Sequence, residues 1–116
     1  MREGARGARR FSERIVLTRA EVVVDDFGHA AVGEAVDVLT TYAEVRQMSA
    51  VKSMMTFQQA DVVGVDITFR NPGVQFNGIR WNDREIVFSE PLIEGRLNRD
   101  MRVTGYYQID NPLANG

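Results

Sequence analysis

The chain has 116 residues and no cysteine, with hydrophobic and charged fractions of 44% and 26%. These totals fit one domain with one modest core and exclude disulfides and thiolate metal sites. The single histidine, His29, excludes a multi-histidine metal cluster, and a net charge of −2 argues against a general nucleic-acid binder.

The charge is uneven. Residues 1–14 carry five arginines against two glutamates, and the remainder is acidic. Residues 1–10 contain Gly4 and Gly7 and lack apolar periodicity, so they read as a flexible basic arm. That arm could order against a partner subunit or an acidic surface. No apolar stretch follows it, so no secretory leader is expected. No apolar run approaches the ~20 residues that cross a bilayer.

Residues 14–24 read as one strand, with Ile15 and Leu17 on one face and Val16, Thr18, Ala20, Val22 and Val24 on the other. A run apolar on both faces predicts a strand that bends between two parts of a core. Asp25, Asp26, Phe27 and Gly28 then signal a turn, with His29 a solvated loop residue. Residues 34–47 read as a second strand with a bend near 39–41. In residues 49–60 the period changes: Val51, Met54, Met55 and Gln58 recur at helical spacing, and Ser49 can cap the first turn. This predicts a helix of about three turns. Its apolar residues, with Phe57 beside them, either cover an open end of the β-domain or face a neighbouring subunit.

Residues 61–70, DVVGVDITFR, are the strand on which the fold centres. Val63, Val65, Ile67 and Phe69 alternate with polar or small residues, which puts four apolar side chains on one face. Asn71, Pro72 and Gly73 end it. Asn77 and Gly78 favour a primed turn. NGIRW and REIVF, joined by Asn82 and Asp83, read as a hairpin. Pro91 ends its pairing, residues 92–99 form a charged connection, and residues 101–110 are the last strand. Residues 111–116 are a polar tail. The sum is a mainly β protein: a small antiparallel barrel of about six strands with one short helix, spanning residues 11–110.

No constellation for catalysis is visible. Asp25 and Asp26 are adjacent and point apart, Asp61 and Asp66 differ by an odd number, and the serines have no nearby base. Neither an enzyme nor a bound cofactor or metal is expected. Trp81, Tyr106, Tyr107 and the arginines allow a monomeric module that binds single-stranded nucleic acid or a peptide, although these aromatics fall at core-compatible positions.

The order of pieces is more specific than any one of them. Residues 42–45 (YAEV), 57–60 (FQQA), 66–70 (DITFR), 77–81 (NGIRW) and 85–87 (EIV) follow one another at the spacing of a known family. The chain thus resembles the phage head–tail joining proteins, also called head closure or head completion proteins, of tailed phages and prophages. Two features depart from that pattern: a longer arginine-rich lead, and a helix that opens Ser49-Ala50-Val51-Lys52. The resemblance implies a virion connector with no enzymatic activity. It would be a ring, dodecameric on assembly and monomeric in isolation, between the portal-adaptor assembly and the tail. The ring would help retain packaged double-stranded DNA and pass it on. A tail completion protein is the nearest alternative. The expected location is the virion head–tail interface, and the host cytoplasm during assembly, where the lack of cysteine is at home. The residues expected at subunit interfaces are Arg6, Arg9, Arg10, Met48, Met54, Met55 and Phe57. Asp25, Asp26, Asp66 and Glu85 are candidates for an acidic bore along which DNA slides without adhering.

Overall fold

Alternating strands close on themselves here, so the barrel core needs no covering layer. The computed structural model describes residues 11–94 and 99–109. Among them the strands are β1 (Glu13–Arg19), β2 (Val22–Val24), β3 (Ala30–Val32), β4 (Val36–Gln47), β5 (Val62–Arg70), β6 (Gly78–Trp81), β7 (Arg84–Phe88), β8 (Leu92–Glu94) and β9 (Asp100–Gln108). One helix, α1 (Ala50–Phe57), lies between β4 and β5. Six of the strands form the barrel in the order β5-β4-β1-β6-β7-β9, and β9 pairs back onto β5 along its whole length. Every pairing is antiparallel. This is the small antiparallel barrel with one helix that the pattern predicts.

The inward faces follow the two-residue period. Val65, Ile67 and Phe69 of β5 are fully buried with Ile15 and Leu17 of β1, and Ile79, Trp81, Ile86 and Val103 complete the interior. Register stacks them in layers: Ile67 lies between Val45 and Val103, and Phe69 between Ala43 and Met101. Phe76 closes one side, its ring 5.9 Å from Phe69 and 6.3 Å from Phe88. Trp81 packs edge-on against Tyr107 and donates from Nε1 to Glu13 Oε1 at 3.0 Å, which satisfies its polar end. Asn82 and Asp83, both with positive φ, make the two-residue primed turn between β6 and β7.

Several expectations need correction. Residues 14–24 are two strands. β1 ends because Asn77 takes over its edge: Asn77 Oδ1 accepts from the Ala20 amide (2.9 Å) and Nδ2 donates to the Ala20 carbonyl (2.7 Å). Asn77 and Gly78 therefore make no primed turn, and Gly78 opens β6 with Thr18 Oγ1 against the space a side chain would need. Beyond Ala20 the chain leaves the barrel as a β2–β3 hairpin, and β3 lies where no strand was expected. The irregularity of β4 falls at Val38, which lacks a partner because Leu17 faces Leu39 and Thr18 faces Asp37. That is one residue before the predicted bend. The helix is eight residues, about two turns, ended by Gln58 in the left-handed region with its amide on the Met54 carbonyl. Residues 92–94, read as a connection, pair with β9 as β8. The total is nine strands among the described residues, six of them in the barrel. The basic arm (1–10) and the polar tail (111–116) lie outside the described residues.

Candidate functional site

The β2–β3 hairpin is the feature that the barrel does not explain. Val22, Val23 and Val24 face Val32, Ala31 and Ala30 across it. Val22, Val24 and Val32 are 65%, 61% and 75% exposed, and Val23 on the other face is 57% exposed. The two strands pack chiefly on each other. The tip is nevertheless built. Asp25 Oδ1 accepts the backbone amides of Phe27 (2.9 Å) and His29 (2.8 Å), and the Asp25 amide donates to the His29 carbonyl (3.0 Å). Gly28 takes the positive φ of 82° that the turn requires. His29 Nδ1 sits 3.2 Å from Asp25 Oδ2, exposed, as a loop residue. The outcome is that Phe27 stands out at the tip, 85% exposed. An apolar hairpin of this size is marginal alone in water.

These boundaries also organise the charge. Residues 20–45 contain six carboxylates and neither lysine nor arginine, whereas residues 1–19 contain six arginines and two glutamates. Residues 46–116 hold eight of each sign. The acidity therefore belongs to the hairpin and its flanks rather than to the body as a whole. Of the residues proposed for a bore, Asp25 and Asp26 lie at the hairpin tip. Asp66 and Glu85 stand on the outer wall, on β5 and β7, with β9 between those strands.

The helix forms a second exposed apolar surface. Ser49 caps it, its Oγ accepting from the Lys52 amide at 3.1 Å. It does not cover an open end of the barrel. It lies on the outer wall, where Gly64 and its cross-strand neighbour Tyr106 face outward. A side chain at Gly64 would strike Met48 and Phe57, so glycine is what admits the helix. Beyond the end of the β4–β5 ladder, α1 and its lead-in supply the missing partners: Met48 N–H donates to Gly64 O, and Gly64 N–H donates to buried Ser53 Oγ, both at 2.8 Å. The Phe57 ring packs 4.8 Å from Tyr106, whose hydroxyl accepts from Gln59 Nε2 at 3.1 Å. Met48 and Phe57 are thus half-buried inside the molecule, and Val51, Met54 and Met55 point outward at 64%, 52% and 71% exposure. Arg6, Arg9 and Arg10 lie outside the described residues. The Ser53 contact was not foreseen from the sequence. Its signal is a lone glycine among valines, which marks a close approach. Ser53→Ala leaves the Gly64 amide buried and unpaired and is expected to cost about 1–3 kcal/mol, read by urea unfolding.

No reactive centre gathers among the described residues. Among those residues no group of three or more His, Cys, Asp or Glu could hold a metal, and no helix is long and apolar enough to cross a membrane. The surface hollows are shallow. One, of 440 Å³, lies at the hairpin root between Val23 and Val36 and Val38. Another, of 270 Å³, lies between β1 and β6, with Val16 among Arg14, Arg80, Asn82 and Asp83. Arg80 is clamped by both oxygens of Asp37, at 3.1 and 3.3 Å. Those hydrogen bonds and the Asp37 charge push the Arg80 pKa up, with Asp83 and Glu85 adding to the shift.

No family model matches the chain, and no curated protein matches it. Among solved structures it is similar to the solution structure of protein SF1141 from Shigella flexneri 2a, with a TM-score of 0.58. The match covers 90% of this chain and 98% of that one at 16% sequence identity, a likeness of fold.

Proposed function

We propose that the chain is a structural component of a tailed phage or prophage: a head–tail connector of the head closure type. In this reading it assembles as a ring between the portal-adaptor assembly and the tail and helps hold and pass the packaged DNA. The observation that carries the reading is the hairpin. Its sequence is apolar on both faces, as in a strand covered on both sides, yet in one copy of the chain both faces are bare. Such a surface calls for a partner. The motifs behind the family resemblance fall on the barrel and its helix: residues 42–45 at the end of β4, 66–70 in β5, 77–81 in and just before β6, and 85–87 in β7. A tail completion protein would use the same surfaces.

The test is assembly. The purified chain is mixed with portal or portal-adaptor rings from the same particle and examined by native mass spectrometry and electron microscopy. Stacked rings with a fixed number of copies per portal are expected. A chain that stays monomeric beside those rings overturns the reading.

A further inference from the structure

We propose that the hairpin tip of one copy docks head-to-tail on the hollow between β1 and β6 of a second copy, with Phe27 seated against Val16 and Asp26 paired with Arg14. The inference deepens the ring reading above and rests on it in one respect: a ring needs two different patches on each subunit.

Three observations support this occupant. The first is charge complementarity. The hairpin segment is acidic without a single lysine or arginine, and the hollow presents Arg14, near the start of β1, with Arg80 and Asp83. Arg80 in the same hollow is committed to Asp37, with Asp83 also acting on it, which leaves Arg14 as the cation that meets the tip. The second is the tip itself. Asp25 is used up in building the turn, whereas Asp26 has no ion-pair partner among the described residues and sits beside the outward Phe27. An aromatic anchor next to a charge is the kind of group that dominates an interface. The third is placement. The hairpin leaves the barrel after Arg19, and the hollow lies at the Arg14 end of the same strand, about 16 Å back. Tip and receptor therefore belong to opposite ends of β1, the arrangement that propagates from copy to copy. A tip in one hollow buries less than the ~1,000 Å² of a stable pair, so two copies hold weakly and a closed ring holds well.

The absence of cysteine gives a clean test. Chains with Asp26→Cys are mixed with chains with Arg14→Cys, alone at high concentration and low salt and then on portal rings, and oxidised. A disulfide joining position 26 of one copy to position 14 of another is expected in at least one setting. In parallel, Asp26→Arg and Arg14→Asp should each weaken self-association at least tenfold, and the double variant should restore it. Both side chains are exposed, so thermal midpoints should stay put and loss of folding is read separately. Rings that form on the portal without the 26–14 disulfide, or a double variant no better than the singles, overturn the docking and leave the connector standing. A chain that is monomeric in every setting overturns both. Hairpin variants that weaken binding to the portal while leaving contacts between copies intact assign the tip to the portal and overturn the self-docking.

Discussion

One added methyl group at Gly105 should open the barrel. Gly105 lies on β9 between Val65 of β5 and Phe88 of β7. A Cβ there would run into the backbone carbonyl oxygen of Val87 and come within 2.9 Å of both Ile86 Cγ2 and Phe88 Cβ. A backbone oxygen in a ladder cannot rotate aside, so relief requires β7 and β9 to separate. Their pairing consists of Val87 with Tyr106 and Phe88 with Gly105, a short seam to strain. Gly105→Ala is therefore expected to lose about 3 kcal/mol or more, which lowers the melting midpoint by roughly 10 °C or more. Gly64→Ala is the control. Its methyl meets the flexible Met48 side chain and the Phe57 ring rather than backbone, and it should cost less. Equal midpoints for Gly105→Ala and the unmodified chain would show that β7 and β9 do not meet as described.

Removing the hairpin should do the opposite: little to the fold, everything to assembly. Replacing residues 21–33 by a short glycine-serine linker deletes β2 and β3, whose main contacts are with each other. Ala20 and its two hydrogen bonds to Asn77 remain. Barrel stability is expected to change by less than ~1 kcal/mol, and, in the proposed connector reading, ring formation on the portal is expected to be lost. Urea unfolding and electron microscopy read the two effects. A shortened chain that still forms rings would remove the hairpin from the assembly surface.

The barrel was legible because its strands obey a period that water enforces. Val65, Ile67 and Phe69 alternate with residues that can face outward, and one wall of the core follows. The Asn82 and Asp83 turn was legible because both residues tolerate positive φ. The hairpin was misread for an instructive reason. Three consecutive valines, Val22 to Val24, state that both faces prefer to be covered, but periodicity does not say by which molecule. Alanines in β3 and the three residues of β8 gave too little alternation to register as strands. Asn77 was misread because an Asn-Gly pair has two uses: it can turn the chain, or its amide can imitate a strand edge, as it does here for Ala20. The helix was legible from its period, but not which of its sides meets the barrel. Its small residue, Ser53, faces the wall and its methionines face out, because the wall offers a glycine and an orphan amide rather than an apolar groove.

The way α1 is fastened has a mechanical side. The helix stands in for the last rungs of a strand, tied to Gly64 on both its carbonyl and its amide, and the strand bearing Gly64 is the one on which the circle of strands closes. A neighbour that grips Met54 and Met55 would therefore pull on the hoop itself. Tension applied at the outer methionines would travel into the wall of the barrel through the Ser53 and Met48 hydrogen bonds to Gly64 and the Phe57 and Gln59 contacts with Tyr106.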